Sequence, residues 1–123
     1  MLSIPPSVHI FLARGATDLR KSFDGLAGAA RTLLERDPLS GHLFVFCNGG
    51  RNRLKILFRD GSGFCIYHKK LARGTFSWPA HEADTTVRAE LQSGDLLLIL
   101  SGMDLQSVRE RRWHRRRYPE VFI

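Results

Sequence analysis

The residues of this 123-residue chain with the most chemistry to offer are its bases, which fall into two blocks. Between positions 51 and 73, Arg51, Arg53, Lys55, Arg59, Lys69, Lys70 and Arg73 are opposed by the single acid Asp60. Between 109 and 120, Arg109, Arg111, Arg112, Arg115, Arg116 and Arg117 interleave with Trp113, His114 and Tyr118, opposed by Glu110 and Glu120 alone. The chain as a whole holds 19 Lys+Arg against 12 Asp+Glu, a formal charge of +7. Bases gathered in this way neutralise a polyanion: a nucleic acid first, an anionic membrane surface second.

Other chemistries have little support. There is no phosphate-cradling Walker loop, no nucleophile elbow and no paired-histidine zinc helix. Five histidines (His9, His42, His68, His81 and His114) are scattered without a nucleophile at a telling spacing. Asp18, Asp24, Asp60, Asp84 and Asp104 would have to converge to hold Mg²⁺, yet Asp18 reads as a helix cap and Asp60 as a turn residue. Cys47 and Cys65 sit in apolar runs with no metal-ligand spacing and read as buried reduced thiols. No catalytic residue, metal or cofactor is expected. No apolar run approaches the roughly 20 residues that span a bilayer. The amino terminus lacks a basic stretch leading into a long apolar core, so the expected compartment is the cytoplasm.

Hydrophobic residues make up 43% and charged residues 25% of the chain, ordinary globular usage. One α+β domain is expected over 1–108, with a flexible basic tail over 109–123. "VHIFLA" reads as a strand. A helix capped by Thr17 or Asp18 follows, carrying the stripe Leu19, Phe23, Leu26, Ala30, Leu33 and Leu34 until Asp37-Pro38 stops it. "HLFVFCN", "RLKILFRD" and "FCIYHKKL" are strand-like and joined by Gly-rich turns, which predicts an antiparallel meander of three strands. "TTVRAEL" is a further strand candidate, and "SGDLLLILSG" a second, short helix. The expected fold is a small antiparallel sheet, the meander plus flanking strands, with one long and one short helix.

Strand periodicity places Arg51, Arg53, Lys55, Leu57 and Arg59 on one face and Leu54, Ile56 and Phe58 on the other. Two-residue turns at Gly49-Gly50 and Gly61-Ser62 would set Phe46 opposite Arg53 and Phe44 opposite Lys55. The same turns would add Phe64, Ile66, His68 and Lys70 to that face. Aromatics mixed with bases suit base stacking and phosphate neutralisation; equally, helices or a second subunit would cover the aromatics and leave the bases at the rim. Arg20 and Lys21, in the first turn of the expected helix, sit where its backbone field is positive and outline a phosphate site.

"TDLRKSFDGL", "PLSGHLFVF", "RLKILFRDGSGFCIYHKKLARGTFSWP" and "LLLILSGMDL" occur in an order and spacing that resembles the small accessory proteins of insertion-sequence family sixty-six, from about Arg14 to Leu105. The family's Asp-x-Arg-Lys corresponds to Asp18, Arg20 and Lys21. Its Lys-Lys-Leu, Arg-Gly and Trp-Pro pairs correspond to Lys69, Lys70, Leu71, Arg73, Gly74, Trp78 and Pro79. Two departures are the turn Gly49-Gly50, often basic in the family, and Tyr67-His68, where an aromatic pair is usual. The resemblance implies a non-catalytic helper of bacterial transposition whose partners are DNA (transposon ends or non-specific duplex) or the separately encoded transposase. On that reading Arg53, Lys55, Arg59, Lys69, Lys70 and Arg73 form the docked face, Arg20 and Lys21 lie beside it, and the arginine tail adds affinity. A homo-oligomer is possible and no membrane is involved. The alternatives are an adaptor docking on the transposase and a single-stranded nucleic-acid or RNA binder using Phe44 and Phe46.

Overall fold

In a computed structural model, residues 4–79 and 87–102 are described. They form seven elements: β1 (Ile10–Ala13), α1 (Phe23–Thr32), β2 (Leu43–Cys47), β3 (Arg53–Arg59), β4 (Phe64–Lys70), β5 (Arg88–Leu91) and α2 (Ser93–Leu100). The strands make one sheet in the order β4-β3-β2-β1-β5. β2, β3 and β4 are successive antiparallel neighbours, and β5 runs antiparallel to β1. β1 and β2 are parallel, Phe11 standing beside Phe44. The sheet is therefore mixed, which corrects the expectation of a purely antiparallel one. A parallel pair needs a crossover, and residues 14–42, with α1 among them, supply it.

The two faces of the sheet are both covered. On one, Leu26, Ala27, Ala29, Ala30 and Leu34 pack on Phe11, Ala13, Phe44, Phe46 and Leu57. On the other, Leu96, Ile99 and Leu100 of α2, with Phe76, pack on Ile10, Leu12, Leu43, Val45, Cys47, Leu54 and Ile56. β2 is buried at all five positions, as a strand covered on both faces must be.

The helices differ from expectation in extent. α1 spans ten residues and α2 eight, so neither is long. α1 begins at Phe23 with Ser22 as its N-cap, which makes no side-chain capping bond. Arg20 and Lys21 therefore precede the helix and do not occupy its first turn. Phe23 (44% exposed) and Leu33 (39%) fall off the buried stripe, which runs instead through the alanines. Glu35, at φ 52°, closes the segment ahead of Asp37. α2 ends as its sequence indicated: Gly102 takes φ 78° and its N–H bonds the Ile99 carbonyl, the left-handed glycine close.

Candidate nucleic-acid interface

The turn between β3 and β4 fixes the basic face. Asp60 Oδ1 accepts the N–H groups of Ser62 (2.9 Å) and Gly63 (3.0 Å), an acceptor pattern that aspartate supplies in tight turns. The resulting register pairs Arg59 with Phe64, Lys55 with His68 and Arg53 with Lys70, as the two-residue turn at Gly61-Ser62 requires. The loop before β3 is wider than expected. Asn48 Oδ1 accepts from the N–H groups of Asn52 and Arg53, and Arg51, not a glycine, takes the positive φ of 58°. Phe46 consequently stands beside Lys55 and Phe44 beside Leu57. The slip of two residues keeps every side chain on its expected face, because faces alternate with a period of two.

Phe44 and Phe46 are both 0% exposed. They are core beneath α1, which corrects the stacking-platform reading. Further along the same face, α1 no longer covers the sheet. There Arg53, His68 and Lys70 are exposed and Lys55 half-buried. The Lys55 ammonium donates to the Lys21 carbonyl at 3.0 Å, anchoring the segment before α1 beside this corner. A groove of about 350 Å³ results, lined by Asp18, Leu19, Arg20, Asn48, Arg53 and His68.

Within the groove, Arg20 is held by its neighbour two residues back. Its Nε lies 3.0 and 3.1 Å from the two Asp18 oxygens, and its Nη2 lies 2.7 Å from Oδ2. The Arg20 N–H also donates to Asp18 Oδ1 at 3.0 Å. The Asp18 carboxylate thus closes a local turn of its own and does not cap α1. The side-chain bonds from Arg20, then the backbone bond, hold the Asp18 pKa at about 2. His68 is shifted below its ordinary value, by desolvation first and then by the charges of Lys55 and Arg53, so it is neutral at pH 7.

The other expected site residues are dispersed. Lys69 is on the opposite face of β4, where its Nζ donates to the Leu100 carbonyl at 2.6 Å and holds the end of α2. Arg51 is half-buried: it donates to the Arg14 carbonyl at 3.2 Å and stacks 5.6 Å from the Trp78 ring. Trp78 in turn donates Nε1–H to the Ala13 carbonyl at 3.0 Å. This pair clamps the β2–β3 loop to the end of β1. Arg59 shares the face of Arg53 but stands six residues, about 20 Å, along the strand, beside the apolar recess of Ile4, Val8, Leu43 and Phe58. Arg73 is exposed. Arg109, Arg111, Arg112, Arg115, Arg116 and Arg117 lie outside the described residues. The sequence does not announce the Asp18–Arg20 pair or the Lys69 and Trp78 anchors; an aspartate two residues ahead of an arginine is the one local signal for any of them.

Among the described residues no cluster of three or more His, Cys, Asp or Glu side chains is arranged to hold a metal ion. No helix among them is long and apolar enough to cross a membrane.

A family model described as IS66 Orf2-like protein matches residues 8–110. The chain belongs to the IS66 Orf2-like family. The family points this Orf2-like chain toward an accessory role in transposition, apart from the transposase itself. Two relatives come from Sinorhizobium fredii, both bearing the name uncharacterized protein. One, y4hO, is 36% identical over 110 residues, 89% of this chain and 93% of the relative. The other, y4jC, is 26% identical over 111 residues, 90% and 92% of the two chains. No solved structure matches the Orf2-like chain.

Proposed function

We propose that this IS66 Orf2-like protein is a non-catalytic accessory protein of bacterial transposition that binds DNA chiefly through backbone phosphates. The observation that carries the reading is the pairing of Arg53 with Lys70 across adjacent strands, next to Lys55 and His68. Like charges directly opposite each other weaken a sheet. Among the described residues neither Arg53 nor Lys70 has an acid partner, whereas an anion lying across both would satisfy them. Arg20 and Lys21 border the same corner, and the arginine-rich 109–117 stretch would add sequence-independent affinity. Contacts of this kind position a protein on a duplex without reading its sequence, so selectivity for an element would come from the transposase or from DNA shape.

A labelled duplex titrated at two salt concentrations tests the reading. Affinity that falls steeply with salt is the expected result, because each neutralised phosphate releases counterions. Weak, salt-insensitive binding would overturn it and favour an adaptor that docks on the transposase.

A further inference from the structure

The Asp18–Arg20 pair gives the groove a built-in occupant. The Arg20 side chain is 92% exposed, and among the described residues its guanidinium bonds only the Asp18 carboxylate. That contact is a planar fork on two oxygens, the arrangement in which a guanidinium also binds a phosphate. Asp18 has a second tie, the Arg20 N–H at 3.0 Å, so the carboxylate stays in place if the guanidinium swings away. Arg53 lines the same groove and, among the described residues, holds no acid. With His68 neutral, the groove carries two cations and one anion.

We propose that this groove seats one backbone phosphate of DNA between Arg20 and Arg53, and that Asp18 occupies Arg20 until the phosphate displaces it. The inference rests on the DNA-binding reading above and goes further by assigning Asp18 as an intramolecular competitor that sets the affinity. An exchange of one oxyanion for another keeps Arg20 oriented without leaving a free guanidinium to bind any polyanion tightly. Asp18 thereby sets the affinity of this contact: it weakens phosphate binding at Arg20 by a fixed factor, which a duplex overcomes by engaging Arg53, Lys55 and Lys70 at the same time.

The test is a set of duplex titrations on the full-length wild type, Asp18→Asn, Arg20→Gln and the double variant. Asparagine keeps an acceptor oxygen for the Arg20 N–H and loses the charge. Asp18→Ser, whose hydroxyl supports the same turn, guards against a fold defect peculiar to the amide. The expected result is several-fold tighter binding by both Asp18 variants with the salt slope unchanged, because Arg20 meets the phosphate in every one of these complexes, whereas Arg20→Gln lowers the slope by about 0.9. That gain should vanish when Arg20 is Gln. If the wild type binds and Asp18→Asn binds no better, the competitor assignment is overturned while the DNA-binding reading stands. An equal gain with and without Arg20 would also overturn it, because the effect would be general charge alone. If neither wild type nor any Asp18 variant binds, the DNA-binding reading fails and the assignment falls with it.

Discussion

Arg53 and Lys70 stand directly opposite each other on adjacent strands, with no carboxylate of the described residues between them. A sheet tuned for stability alone would place an acid at one of the two positions. Replacing Lys70 by Glu creates the missing cross-strand ion pair, and the expected gain in unfolding free energy is about 0.2–1 kcal/mol. The same change should weaken duplex binding. Urea unfolding and anisotropy titration of the one variant check both halves, and a loss of stability would show that the pair is not repulsive.

Lys69 is the contrasting neighbour. Its bond to the Leu100 carbonyl closes the carboxyl end of α2. Lys69→Met leaves that carbonyl without its donor, and the expected cost is about 1–3 kcal/mol. Duplex affinity should stay near that of the wild type. Lys70→Gln should behave in the opposite way, with stability held or slightly raised and weaker binding, so the two adjacent lysines separate fold from contact.

The two glycines of α1 predict opposite responses to alanine. A methyl added at Gly28 meets nothing within 4 Å, and alanine there should gain about 0.5–1 kcal/mol from helix propensity. At Gly25 the same methyl would sit 2.9 Å from Lys21 Cβ. The side-chain stem of Lys21, the residue whose carbonyl anchors Lys55, would have to shift. Thermal melts should rise for Gly28→Ala and fail to rise for Gly25→Ala.

Acid should destabilise the fold through His42 in a defined window. His42 Nδ1 accepts the His9 N–H at 2.9 Å, which requires that nitrogen to be unprotonated. Burial, and then the charge of His9, depress its pKa below the ordinary value. The unfolded chain, with histidine near about 6.5, therefore binds the proton more readily than the folded one. Stability is complete above that value and falls as the pH drops toward the folded-state pKa. His68 is shifted in the same direction, so His42→Gln should remove only part of the loss between pH 7 and 5. Asp18 contributes in a lower window, between 3.8 and about 2. Unfolding free energies measured across both ranges check the assignment.

Phe46, fully buried under α1, is expected to matter for packing alone. Phe46→Leu should cost about 1 kcal/mol of stability and leave the ratio of duplex to single-strand affinity unchanged. A selective loss of single-strand binding would return the aromatic face to consideration.

What the sequence disclosed divides along local and non-local lines. The β3–β4 register was legible because Asp60 and its glycines build their turn from groups within four residues. The β2–β3 loop is not legible in the same way, because Gly49-Gly50 looks like a complete turn. Asn48 instead gathers the N–H groups of Asn52 and Arg53 and lengthens the loop, and the face assignments survived only because the slip was even. Asp18 read as a helix cap since nothing in the spacing told a cap from a turn closed by Arg20. The parallel pairing of β1 and β2 joins segments separated by residues 14–42 and leaves no local signature. Nor does a run of two lysines declare which one stands beside Arg53 and which one closes α2.

On the proposed function, phosphate contact runs through the exposed corner of β3 and β4. The most direct measurement is the salt dependence of duplex binding by wild type and by Arg53→Gln with Lys70→Gln. Removing two phosphate contacts should reduce the slope of log K against log salt by about 1.8 while unfolding free energy is held or raised. An unchanged slope in a folded double variant would show that DNA does not bind through this corner.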